Sequence, residues 1–171
     1  MAFNSAEFDV VCGEVFAVLV DPTTYPDWLI AAADIRAVDE DWPIPGSCFH
    51  HRVGFGPFRL PDSTEVLAVE PNRMLQLAVR ARPLVSAVVT FRLVGDSGRC
   101  VLTWQEEPAS RVLGNLVRPV LDPLTHLRNH RSLGRLVGVV QDRRRTITRP
   151  ESAGTSESSS QPKSNGHQNS R

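Results

Sequence analysis

The sequence predicts an α+β fold in which a curved antiparallel sheet is followed by a long C-terminal helix. Three observations predict it. Residues 34–107 alternate apolar and polar side chains between short turns, the period of strands with one buried face. Residues 110–142 switch to helical spacing. Beyond residue 142 the only apolar side chains are Ile147 and Ala153, and every aromatic residue lies before residue 105.

The 171 residues carry 19 Lys plus Arg and 19 Asp plus Glu, so the formal charge is zero. That zero divides in two. Residues 1–142 hold 13 basic and 17 acidic side chains, whereas residues 143–171 hold 6 and 2. The division predicts one folded domain over 1–142 and a disordered, basic, Ser-rich tail over 143–171, which lacks the apolar area to offset its ordering entropy. A mildly acidic folded part argues against nucleic acid as partner. The longest apolar run, Val15–Val20, is too short to span a membrane, and Met1 to Phe8 has no basic cluster of a secretory signal. Cys12, Cys48 and Cys100 are odd in number and far apart. They are expected to be reduced, mostly buried thiols in a cytoplasmic protein, with no disulfide frame and no zinc site.

The elements follow in order. Phe3 to Asp9 forms a first edge strand anchored by Phe3 and Phe8. Val10–Val20 reads as a short helix, stopped at Asp21 because Pro22 disfavours helical backbone there. Thr23–Ile30 makes a second short helix or turn that aims Trp28 inward. Strands are expected at 35–39, 47–54, 58–70, 74–82, 84–94 and 99–107, with a bend near Pro61, which donates no ladder hydrogen bond. On the third strand Phe49, His51, Val53 and Phe55 share one face, with Cys48, His50 and Arg52 opposite. The helical region has two stripes, Leu113 to Leu127 and Leu133 to Val140, and Pro119 and Asp122-Pro123 predict a kink or break within it.

Within that order, Val15 to Pro22 with Tyr25-Pro26-Asp27-Trp28 resembles the opening motif of the START-like (SRPBCC) superfamily. Glu65 to Arg73 resembles its strand followed by a Pro-x-Arg turn, and Arg128 to Leu133 resembles the helix of its polyketide cyclase/dehydrase-type branch. The resemblance implies a helix-grip fold, with the sheet wrapped around the C-terminal helix and enclosing an apolar cavity. It implies binding of a hydrophobic small molecule such as a lipid, quinone or polyketide, and it carries over no catalytic residue and no cofactor.

Most of the tempting chemistry has a plain explanation. Gly95-Asp96-Ser97-Gly98 matches a serine-protease string, but no partnered His and Asp accompany it, and the same residues make a hairpin turn. His126 and His130 have helical i,i+4 spacing without a third ligand, so no metal site is expected. Arg80, Arg82 and Arg92 read as solvated outer-face charges, and Arg143 to Arg145 as a cap on the helix dipole.

More informative are polar residues on apolar faces: His51, Glu106 and Asn129, with His126 nearby. Each is either satisfied by backbone or water near a sheet rim, or directed with the others into the cavity to orient a ligand's polar end. The expected apolar lining is Trp28, Phe55, Leu77, Val79, Val89, Phe91 and Trp104. The leading reading is therefore a carrier rather than an enzyme. The alternatives are a cyclase/dehydratase using His51 or Glu106 for proton transfer, and a protein-interaction or chaperone-like module. Oligomeric state and the role of the tail are not legible in the sequence.

Overall fold

Alternation of apolar residues produces seven strands that pair in the order β1-β7-β6-β5-β4-β3-β2. The computed structural model describes residues 2–30, 32–55, 58–81, 85–108 and 111–148. Side chains of residues 2, 33, 53–60, 81, 85, 86, 108, 111–125 and 148 lie outside that description. β1 (Ala2–Phe8) leads into α1 (Cys12–Leu19), a single 3-10 turn at Pro22–Thr24 and α2 (Tyr25–Trp28). Asp21 starts the turn by accepting the Thr23 N–H. The meander then runs through β2 (Ala32–Val38), β3 (Cys48–Phe55), β4 (Phe58–Glu70), β5 (Met74–Ala81), β6 (Val85–Gly95) and β7 (Cys100–Pro108). β1 closes the far edge against β7, with Phe8 opposite Cys100. This curved antiparallel sheet, gripping α3 (Arg111–Thr148), is the helix-grip fold expected.

The inner face is built of cross-strand rungs. Trp104, Phe91, Leu75 and Val69 form one; Glu106, Val89, Leu77 and Val66 form the next. Ala87, Val79, Thr64 and Phe49 form a third, and His51 pairs with Asp62 beyond it. On α3 the residues Asn129, Ser132, Leu133, Leu136 and Val140 are buried, spaced three and four apart as one helical face requires. Trp28, Trp104, Phe49 and Phe91 are the largest fully buried side chains.

Several expectations change. Phe3 is exposed, so Phe8 alone anchors β1. The irregularity in β4 falls between Val66 and Ala68. Pro61 pairs with Arg52, and the described β4–β5 pairs begin at Ser63 with Arg80. α3 is one helix of 38 residues running through Pro119 and Pro123 and six residues past Asp142. Leu127 is exposed, and the rest of its stripe lies outside the described side chains. The tail from residue 149, the turn at 56–57 and Arg82 also lie outside the described residues.

The thiol reading is overturned. Cys12 and Cys100 form a disulfide with Cα atoms 5.0 Å apart, leaving Cys48 free. The pairing of β1 with β7 brings the start of α1 beside Cys100, a proximity that a separation of 88 residues conceals. The argument from reduced cysteines to a cytoplasmic location falls with it. Among the described residues no helix is long and apolar enough to cross a membrane.

Candidate ligand-binding site

An unbroken series of ring contacts crosses the interior. Trp104 lies 5.1 Å from Phe91 and 6.0 Å from Trp28 between ring centroids. Trp28 meets Tyr25 at 4.9 Å, Tyr25 meets Phe49 at 5.0 Å, and Phe49 meets His51 at 5.0 Å. The Trp28 indole N–H donates to Thr24 Oγ1, and the Tyr25 hydroxyl to the Leu19 carbonyl. Burial, with Asp21 nearby, raises the Tyr25 pKa and keeps the phenol protonated. Of the expected lining, Trp28, Leu77, Val89, Phe91 and Trp104 belong to this buried cluster, and Val79 packs against it. The side chain of Phe55 lies outside the described set.

The polar candidates separate into two groups. Glu106 Oε2 accepts from Arg128 Nη2 at 2.7 Å and from Asn129 Nδ2 at 3.0 Å. Asn129 Oδ1 in turn accepts from Arg128 Nε and Nη2. The structure thus joins Glu106 to Asn129, two of the polar candidates, and adds Arg128, which pattern reading passed over. The backbone carbonyl of His126 accepts from Asn4 Nδ2, and His130 is exposed. Among the described residues no group of three or more His, Cys, Asp and Glu could hold a metal ion.

His51 stands apart, four strands away from Glu106, roughly 19 Å measured across the sheet surface. Its partner is Asp62, directly opposite in register, with Nε2 and Oδ2 3.5 Å apart and both side chains buried. Burial, with a smaller contribution from His50, lowers the His51 pKa to about 4, so the imidazole is neutral at neutral pH. Burial also pushes the Asp62 carboxyl up, against the lowering effect of the Ser63 N–H on Oδ1 at 2.7 Å. Sequence reasoning missed Asp62, although it shares parity with the inward Thr64 and Val66. Among the described residues, four enclosed polar atoms on this inner surface have no hydrogen-bond partner: Asn4 Oδ1, His51 Nδ1, Asp62 Oδ2 and Trp104 Nε1.

Elsewhere the plain explanations hold. The Gly95 to Gly98 segment is a turn in which Asp96 N–H donates to the Arg99 carbonyl and Asp96 Oδ1 accepts from Gly98. A Cβ at Gly95 would sit 2.1 Å from the Arg99 oxygen, so only glycine fits there. Arg80 is on the outer face, paired with Glu65 at 2.6 Å.

A curved sheet gripping a helix around buried aromatics and isolated polar groups defines the START-like class of small-molecule-binding folds. Residues 4–141 match the family described as polyketide cyclase/dehydrase and lipid transport, and the chain belongs to that family. The fold is similar to that of the ZhuI aromatase/cyclase from Streptomyces sp. R1128, with 16% identity, TM-score 0.65, and coverage of 86% of this chain and 96% of that one. It is similar also to a conserved protein from Geobacillus kaustophilus, with 17% identity, TM-score 0.64, and coverage of 82% and 94%. Norcoclaurine synthase from Thalictrum flavum aligns with 15% identity, TM-score 0.57, and coverage of 83% and 94%. No curated protein sequence matches the chain.

Proposed function

We propose that the protein encloses one hydrophobic small molecule between the concave sheet face and α3, as a carrier or sequestering protein. The observation that carries this reading is the set of four enclosed polar atoms without partners on an otherwise aromatic and aliphatic surface. Leaving such an atom unpaired costs about 1–3 kcal/mol, so a ligand's polar groups or trapped water must satisfy them. The family's link to lipid transport supports the same reading. Trp28, Phe91 and Trp104 supply the apolar contact, and Trp104 Nε1 a donor.

Native mass spectrometry of freshly purified protein tests it. The expected result is an adduct that organic extraction removes, with the emptied protein binding a lipophilic dye. In Trp104→Ala, dye affinity is expected to fall about tenfold, as the loss of a large buried aromatic contact implies. A clean unliganded mass together with no dye binding overturns the proposal.

The buried His51–Asp62 pair favours a second reading, an enzyme of cyclase or dehydratase type with His51 transferring a proton. One structural relative is named an aromatase/cyclase and another a synthase, which supports keeping it. Glu106 suits that role less well, because its Oε2 is already held by Arg128 and Asn129.

A further inference from the structure

We propose that His51 and Asp62 form the polar end of the site and take the hydroxyl of a phenolic or enolic ligand, with His51 Nδ1 accepting the O–H. The inference rests on the ligand-holding reading above and names the chemistry of its ligand.

The register of β3 and β4 places the two side chains opposite one another, both inward and both buried. Asp62 Oδ1 is occupied by the Ser63 N–H, so Oδ2 is the oxygen that faces His51 Nε2. A neutral imidazole carries one N–H. At 3.5 Å Nε2 and Oδ2 form no hydrogen bond, but the carboxyl oxygen beside Nε2 favours the N–H on that nitrogen, which leaves Nδ1 as a bare acceptor. Nδ1 is enclosed and unpartnered, and the Phe49 ring lies 5.0 Å from the imidazole.

An acceptor in an apolar enclosure selects a neutral donor. An ammonium group would have to shed its hydration shell there, which is far costlier than burying a hydroxyl. A hydroxyl on an aromatic or enolic carbon donates more strongly than an aliphatic one. Its flat carbon skeleton also suits the aromatic series running from Phe49 through Tyr25 to Trp28. Asp62 acts through His51, fixing the tautomer, and is a positioning residue.

Isothermal titration calorimetry of the full chain with naphthol and with its methyl ether tests this. The ether keeps the ring and the oxygen but has no proton to donate. Naphthol is expected to bind the wild type about tenfold more tightly than the ether, the worth of one buried hydrogen bond. In His51→Phe the preference should fall below about threefold while ether affinity is retained, and Asp62→Asn should reduce it in the same direction. Should either variant fail to fold, nitrogen-15 spectra of the histidine-labelled wild type give an independent reading. Naphthol, and not its ether, should move the Nδ1 resonance of His51.

Equal binding of the two probes overturns the proposal while leaving the ligand-holding reading intact. So does a preference that survives in both folded variants. If neither probe binds but a lipophilic dye does, the phenolic class is wrong and the cavity stands. If nothing binds, both fall.

Discussion

At the scale of single residues, His51 has the most to reveal. Its folded pKa of about 4 lies below the ordinary 6.5, because burial penalises the cation. The unfolded chain therefore takes up a proton as pH falls through 6.5, and the folded chain refuses it until about pH 4. The stability this residue contributes is present above pH 6.5 and lost between 6.5 and 4, by up to about 3 kcal/mol. Asp62 works the other way: its raised pKa lets the folded state bind a proton before the unfolded state does, which offsets part of the loss. Urea midpoints measured from pH 7.5 to pH 4.5 (about three units, the span the linkage requires) should drop less in His51→Phe than in wild type. In Asp62→Asn they should drop more. Parallel curves for all three proteins would refute the assignment. His51 was legible in the sequence because strand parity alone puts it beside Phe49. Asp62 was equally legible and overlooked, since parity on β4 was not read through Pro61. The link from Arg128 and Asn129 to Glu106 was not legible, because it depends on how α3 is rotated against the sheet, which no local pattern encodes.

Secondary-structure elements were the most readable level, for a physical reason. A strand buried on one face repeats every two residues and needs no distant information, so the meander could be drawn from its turns and alternation. Contacts between elements far apart in sequence could not, and the disulfide is the clearest case. It ties the first residue of α1 to the first residue of β7, closing a loop of about 88 residues. Chain-entropy arguments value such a closure at about 4–5 kcal/mol. Treatment with a phosphine reductant should therefore lower the denaturation midpoint substantially, with the mass rising by two hydrogens. Cys12→Ala should show the lowered midpoint without reductant and no further response to it. A reductant-insensitive midpoint, with no mass change, would show that the bridge does not form in solution. Of the kink or break that proline placement suggested, the break is absent. Pro119 and Pro123 argue locally for a broken helix, yet α3 is continuous from Arg111 to Thr148.

For the whole molecule, the charge division locates where folding stops more loosely than α3 does. The basic run that begins at Arg143 is the last part of the helix, and it fastens the helix end to the start of the chain. Arg143 Nη1 lies 3.1 Å from Asp21 Oδ2, and Arg144 Nη1 donates to the Asp9 carbonyl at 2.7 Å. These contacts fasten the C-terminal end of α3 beside α1. A chain ending at residue 148 keeps them, whereas one ending at residue 142 loses both. Exposed ion pairs are individually weak, about 0–1 kcal/mol, and a charged hydrogen bond to a carbonyl adds a similar amount. The shorter chain is therefore expected to be about 1–2 kcal/mol less stable than the full protein. The longer one should match it within about 0.5 kcal/mol and bind dye equally well, because residues 149–171 carry almost no apolar surface to contribute. Denaturation and dye titration on the three chains separate these expectations. Loss of dye binding on removing residues 149–171 alone would place part of the site in the tail and defeat the division of the chain into a ligand-holding domain and an independent extension.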